Sequence, residues 1–134
     1  MSEPLVPTSL IGRQSDAVLI EVERGAIRKF AEAVGDTTSA CLSGEIAPPT
    51  FATTIRIAIP DLSYDLARVL HAGQEYRLHR PIRAGDRLRC RARLADVYTR
   101  DGRLGAMTFL IIEVEGREEA GAPVFTGRST VILR

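Results

Sequence analysis

The sequence predicts an α+β fold: a curved antiparallel sheet wrapped around an apolar helix at about residues 50–59. Three observations predict it. Early in the chain, apolar residues recur at helical spacing; late in the chain they alternate with polar residues at the period of a strand; and turn signals join the alternating stretches as hairpins.

The first element is a short strand over residues 16–22, where Val18, Ile20 and Val22 fall on one side. A helix over residues 25–34 follows. Ile27, Phe30, Ala31 and Val34 share a face, Arg28, Lys29 and Glu32 point elsewhere, and Gly35 supplies the left-handed stop. Asp36 therefore sits just beyond a helix end. The second helix begins after Ala47, Pro48 and Pro49. The prolines fix the approach, Thr50 caps it or occupies its first turn, and Pro60 ends it. Phe51, Ala52, Ile55, Ile57, Ala58 and Ile59 wrap most of its circumference, so it is expected at the centre of the fold. A shorter helical stretch is expected over residues 62–70.

The second half reads as strands. Residues 75–80 place Tyr76 and Leu78 on one face, and residues 81–86 end in a turn at Gly85 and Asp86. Over residues 87–97, Arg87, Arg89, Arg91 and Arg93 alternate with Leu88, Cys90, Ala92 and Leu94, giving one wet and one dry face. Asp101 and Gly102 are a hairpin signal, residues 104–114 are a long apolar strand, and residues 124–133 are the last strand, reached across residues 116–123.

Bulk properties narrow the function. A chain of 134 residues with 45% hydrophobic content has the size of one domain, here residues 1–134; such a domain buries about 68% of its unfolded surface. No apolar run is long enough to span a membrane and no secretion signal is present, so a cytoplasmic location is expected. Cys41 and Cys90 are the only thiols and have no metal-ligand spacing, so neither a disulfide framework nor a metal site is expected. A net charge of +1 gives no general attraction to nucleic acid or acidic lipid.

Three segments carry a resemblance to a known family: "FAEAVGD", "APPTF" and "RVLHAGQEYRLHRPIRAGDRL". Together they resemble the MaoC-like dehydratase family in its FAS1-like N-terminal branch, over residues 11–134. The last segment is the most specific, because strand, turn and Gly85-Asp86 fall in family order. The resemblance implies the hotdog fold. It also implies hydration of an enoyl thioester, or dehydration of a 3-hydroxyacyl thioester, on coenzyme A or an acyl carrier protein, without a cofactor.

That chemistry needs amide donors for a developing oxyanion, which the start of the helix at Thr50 and Phe51 would offer, and an acid-base pair within reach of one substrate. In active members the loop after the first helix reads Gly-Asp-x-Asn-Pro-x-His. Here Gly35 and Asp36 match it, Thr38 stands at the Asn, Ser39 at the Pro and Cys41 at the His. The interval from Asp36 to Ala47 is also shorter than is usual in the family. A thiol titrates at about 8.5 and lacks the second ring nitrogen that orients a histidine, so the dyad is incomplete. The candidate catalytic residues are Asp36, Cys41 and His71; Thr38, Pro49, Thr50 and Phe51 are the candidate substrate-binding residues.

Each candidate also has an ordinary reading: Asp36 as a turn or capping residue, Cys41 as a small loop residue, His71 as a hydrogen-bonding junction residue. His79 reads as an exposed strand residue. The arginines from Arg77 to Arg93 read as a solvated outer face, or as a landing site for coenzyme A phosphates or an acidic carrier. Three functions follow: a hydro-lyase using Asp36 with a base from His71 or a partner chain; a non-catalytic or half-catalytic subunit shaping an acyl tunnel for an active hotdog partner; or a dehydratase/cyclase-like enzyme acting on a polyketide-type intermediate. A thioesterase is disfavoured, since that chemistry usually places a carboxylate near the central helix and Arg56 is the only charged residue over residues 50–59. One sheet leaves an edge and an apolar groove open, so a homodimer or a heterodimer with another hotdog protein is expected.

Overall fold

Alternating side chains after residue 68 resolve into four long strands, and the short early strand joins them. The computed structural model describes residues 3–134. In chain order its elements are β1 (Val18–Glu21), α1 (Arg24–Val34), α2 (Ser39–Leu42), β2 (Val69–Leu78), β3 (Arg87–Gly102), β4 (Gly105–Glu118) and β5 (Pro123–Leu133), with three short 3-10 turns between them. The strands form one antiparallel sheet in the order β1-β3-β4-β5-β2, which leaves β1 and β2 as edges. This is the α+β hotdog architecture.

The dry face of β3 is as predicted: Leu88, Cys90, Ala92 and Leu94 are fully buried. α1 packs on its Leu88–Cys90 end through the fully buried Ile27, with Phe30 at the side, while Val6, Leu10 and Ile59 pack on Ala92 and Leu94; Ala31 is also fully buried, and Val34 at the last turn of α1 is half exposed. A register shift between Leu94 and Asp96 re-phases β3, so that Val97 returns to the inner face and the strand runs on past its predicted end to Gly102. The hairpin turn lies at Arg103 and Leu104, two residues beyond the Asp101-Gly102 signal, because Gly102 pairs with Gly105.

The central helix expected over residues 50–59 is not formed. One 3-10 turn, Phe51–Thr54, is followed by extended chain from Ile55 (φ −88°, ψ 105°). Local chemistry explains this. The Thr53 and Thr54 hydroxyls donate to the carbonyls of Thr50 and Phe51, both at 2.9 Å. Six β-branched residues fall within residues 50–59, and Ile59 precedes a proline that disfavours helical backbone. Burial follows the expectation in part: Phe51, Ala52 and Ile55 enter one core cluster and Ile59 the other, whereas Ile57 is half-buried and Ala58, expected on the apolar circumference, is exposed because the extended chain turns it outward. The segment crosses the inside of the sheet as an apolar strap whose residues alternate, with Ile55 and Ile59 buried and Arg56 and Ala58 exposed.

Two other stretches differ. Within residues 62–70 only Leu66–Arg68 is helical, a 3-10 turn in which the Asp65 carboxylate accepts the Ala67 N–H at 2.9 Å. β2 begins at Val69 rather than residue 75, its alternation interrupted by a register shift between His71 and Gly73. Residues 81–86 form a turn pinned on two sides: the Ala47 N–H donates to the Ile82 carbonyl (2.8 Å) and the Val22 N–H to the Asp86 carbonyl (2.8 Å). The half-buried Arg80 guanidinium clamps this turn through Asp86 (2.8 and 3.2 Å) and ties it to Glu118 (2.8 Å).

Candidate functional site

Gly35 ends α1 in the left-handed conformation (φ 74°, ψ 25°), which a residue with a side chain adopts only at a cost. Its N–H donates to the Glu32 carbonyl at 3.3 Å and that of Asp36 to the Ala31 carbonyl at 2.9 Å, a double cap that fixes where the Asp36 side chain starts. The Asp36 carboxylate then accepts the Thr38 N–H at 2.9 Å. The Thr38 hydroxyl and this amide hold the carboxyl below its ordinary titration range, with a smaller contribution from the Cys41 thiol, against an opposing effect of burial.

Cys41 sits on α2, buried, and faces Asp36. Burial first, and the neighbouring carboxylate second, push its thiol upward. At neutral pH the pair is therefore an ionised acid beside a protonated thiol. Among the predicted site residues the structure brings Asp36, Thr38 and Cys41 together.

The "APPTF" residues approach from another direction. Pro49 and Thr50 are exposed and Phe51 is buried. The Phe51 ring meets Phe30 of α1 edge-on, with centroids 5.7 Å apart and planes at 88°, so this segment is keyed to the helix that carries Asp36. The Phe51 N–H already donates to the Pro48 carbonyl at 2.9 Å, within the turn that stands in place of the expected helix start.

His71 belongs to a different surface. Between the apolar strap and the inner faces of β2, β4 and β5 lies an open groove of about 470 Å³. The strap lines it with Ile55, Arg56 and Ile57. The sheet wall is mixed: Val114 of β4 and Val131 of β5 stand beside the polar His71, Gln74 and Tyr76 of β2 and Ser129 of β5. Of these the sequence reading singled out only His71 as functional. The available signal was polar residues on inward strand positions, obscured at β2 by the register shift.

Of the arginines that alternate outward on β3, Arg87 and Arg93 meet acids. Arg87 pairs with Glu21 (2.7 Å) and Glu119 (2.5 Å), and Arg93 and Arg128 both reach Glu113 (3.8 and 3.5 Å). Charge on this face is largely balanced, as a solvated outer surface requires. Among the described residues no group of three or more His, Cys, Asp or Glu side chains is placed to hold a metal ion, and no helix is long and apolar enough to cross a membrane.

Comparison with known proteins agrees with this geometry. The model of the FAS1-like dehydratase domain region matches residues 9–127. A UPF0336 protein of Saccharopolyspora erythraea is 37% identical, with 94% of this chain and 90% of the relative covered. One from Streptomyces coelicolor is 35% identical, with 94% and 93% covered. Among solved structures, the C-terminally truncated 3R-hydroxyacyl-ACP dehydratase complex HadBC of Mycobacterium tuberculosis superposes with a TM-score of 0.71 at 20% identity, covering 92% of this chain and 96% of that one. The ChsH1-ChsH2 complex of the same organism gives 0.68 at 18% identity, covering 90% and 88%.

Proposed function

We propose, because this chain belongs to the FAS1-like dehydratase-region family, that it is the half-catalytic, acyl-binding subunit of a two-chain enoyl-thioester hydratase or 3-hydroxyacyl-thioester dehydratase. The observation that carries this reading is the Asp36–Cys41 pair. Hydration places a hydroxyl on the β-carbon of the thioester and a proton on the α-carbon, and dehydration reverses both, so two proton-handling groups are needed. Asp36, held ionised by Thr38, is fit to accept a proton from the adding water; in dehydration the same carboxyl returns that proton to the departing hydroxyl, which leaves as water. Cys41, protonated and buried where the resemblance expects a histidine, is not fit for the second role. A histidine-bearing hotdog partner would supply it. The structural neighbours HadBC and ChsH1-ChsH2 are themselves complexes, and the open β2 edge and groove give such a partner a place to pack.

The test is hydration of crotonyl and longer enoyl thioesters by the chain alone and after co-expression with a histidine-bearing hotdog protein. Activity only in the co-expressed complex, reduced about a hundredfold by Asp36→Asn and little changed by Cys41→Ala, is the expected result. Full activity surviving Asp36→Asn would remove Asp36 from the mechanism. A second reading, a self-sufficient hydro-lyase, is favoured by one observation: His71 lines the groove. It requires activity of the isolated chain that His71→Ala abolishes.

A further inference from the structure

We propose that Gln74, Tyr76 and Ser129 form an oxygen-binding niche in the groove wall that selects an acyl chain carrying a hydroxyl or keto oxygen over an unsubstituted alkyl chain. This rests on the acyl-thioester reading above and names its substrate class.

The niche is built by strand register. Gln74 pairs with Ser129 and Tyr76 with Gly127, all on the inner face of the β2–β5 ladder. A Cβ on Gly127 would stand 2.8 Å from the Tyr76 ring edge and 3.7 Å from Gln74 Nε2, so the missing side chain lets the ring and the amide lie side by side on the sheet. The Ser129 hydroxyl donates to Gln74 Oε1 at 2.6 Å, which fixes the carboxamide with its NH2 as the free end. One N–H reaches the Arg128 carbonyl at a long 3.4 Å, leaving the second as a donor. The Tyr76 hydroxyl has no protein partner among the described residues. Burial raises its titration, so it stays an O–H donor.

Donors gathered on one wall fit an oxygen acceptor. Ile55 and Ile57 of the facing strap, with Val114 and Val131 beside the donors on the sheet, fit the hydrocarbon on either side of it. A groove of about 470 Å³ is of the size that holds a small molecule. A plain alkyl chain would strip water from Gln74 and Tyr76 and return no hydrogen bond, the arrangement by which a polar site rejects an analogue lacking the polar group.

The experiment is calorimetric binding to the purified chain of unreactive thioether analogues of acyl coenzyme A, one with a plain ten-carbon chain and one with a mid-chain hydroxyl. Free coenzyme A and the two matching free acids complete the set. The hydroxylated analogue is expected to bind about tenfold tighter, and a Gln74→Leu/Tyr76→Phe double variant, checked for native circular dichroism, to bring the two within about twofold. Equal binding to wild type, or a preference that survives the double variant, overturns the niche while leaving the thioester reading standing. Loss of free coenzyme A binding in the double variant assigns these residues to the carrier arm and also overturns it. A preference seen only among the free acids retains the niche and overturns the thioester reading; no binding by any probe overturns both.

Discussion

The inner face of the sheet has two halves with opposite fates. Over β3 it is dry: α1 delivers Ile27 and Ala31, and Leu88, Cys90, Ala92 and Leu94 are sealed from solvent. Over β2 and the middle of β5 it stays open, and Gln74, Tyr76 and Ser129 stand where core residues would otherwise be. Both halves obey the same alternation of side chains. What differs is the covering: over β3, Ile27 of α1, Val6 and Leu10 of the N-terminal segment and Phe51, Ile55 and Ile59 of the strap close together, whereas over the groove the strap stands alone. The open groove in this molecule stands where a helix does not form.

The sharpest way to break that contrast is Phe125→Ala, which removes a ring at the start of β5 that packs in one cluster with Leu88 and Cys90 of the dry half. With Phe125 fully buried, a loss of about 3–5 kcal/mol is expected, measured by urea unfolding. Gly127→Ala tests the open half. Its methyl would press on the Tyr76 ring edge at 2.8 Å, and a loss of about 1–3 kcal/mol is expected unless the ring rotates into the groove, in which case stability holds and ligand affinity falls.

The dry half also predicts a pH dependence. Burial, with a smaller effect of Glu115, pushes Cys90 from 9.0 up to about 11. An unfolded thiol therefore ionises first, so the contribution of Cys90 to stability is complete below pH 9 and is lost as pH rises towards 11. Melting temperatures should fall across that window, and less steeply in Cys90→Ala; identical slopes would mean that this half admits water. The smallest effect belongs to the outer face. Arg93 reaches Glu113 only at 3.8 Å and both are well exposed, so Arg93→Ala should change stability by about 0–0.5 kcal/mol.

The double-cap stop at Gly35, the placement of Asp36 after it, and the wet and dry faces of β3 were all legible in the sequence, because each depends on a residue and its near neighbours. The Asp36–Cys41 approach was legible only as a matched loop, while the niche of Gln74, Tyr76 and Ser129 was not legible. Its members lie 55 residues apart in the chain at the extreme, between Gln74 and Ser129, and meet through the pairing of two strands.

Residues 50–59 divide the two kinds of information most clearly. Composition alone determined that this stretch sends Phe51, Ile55 and Ile59 into the core, since large apolar side chains must leave water whatever shape the backbone takes. Whether it did so as helix or strap was a contest between apolar patterning and the stiffness of threonines and isoleucines leading into a proline. Only the assembled sheet settled it, because the extended form lets Ile55 join one core cluster and Ile59 the other, and that reach is a property of the surroundings rather than of the segment.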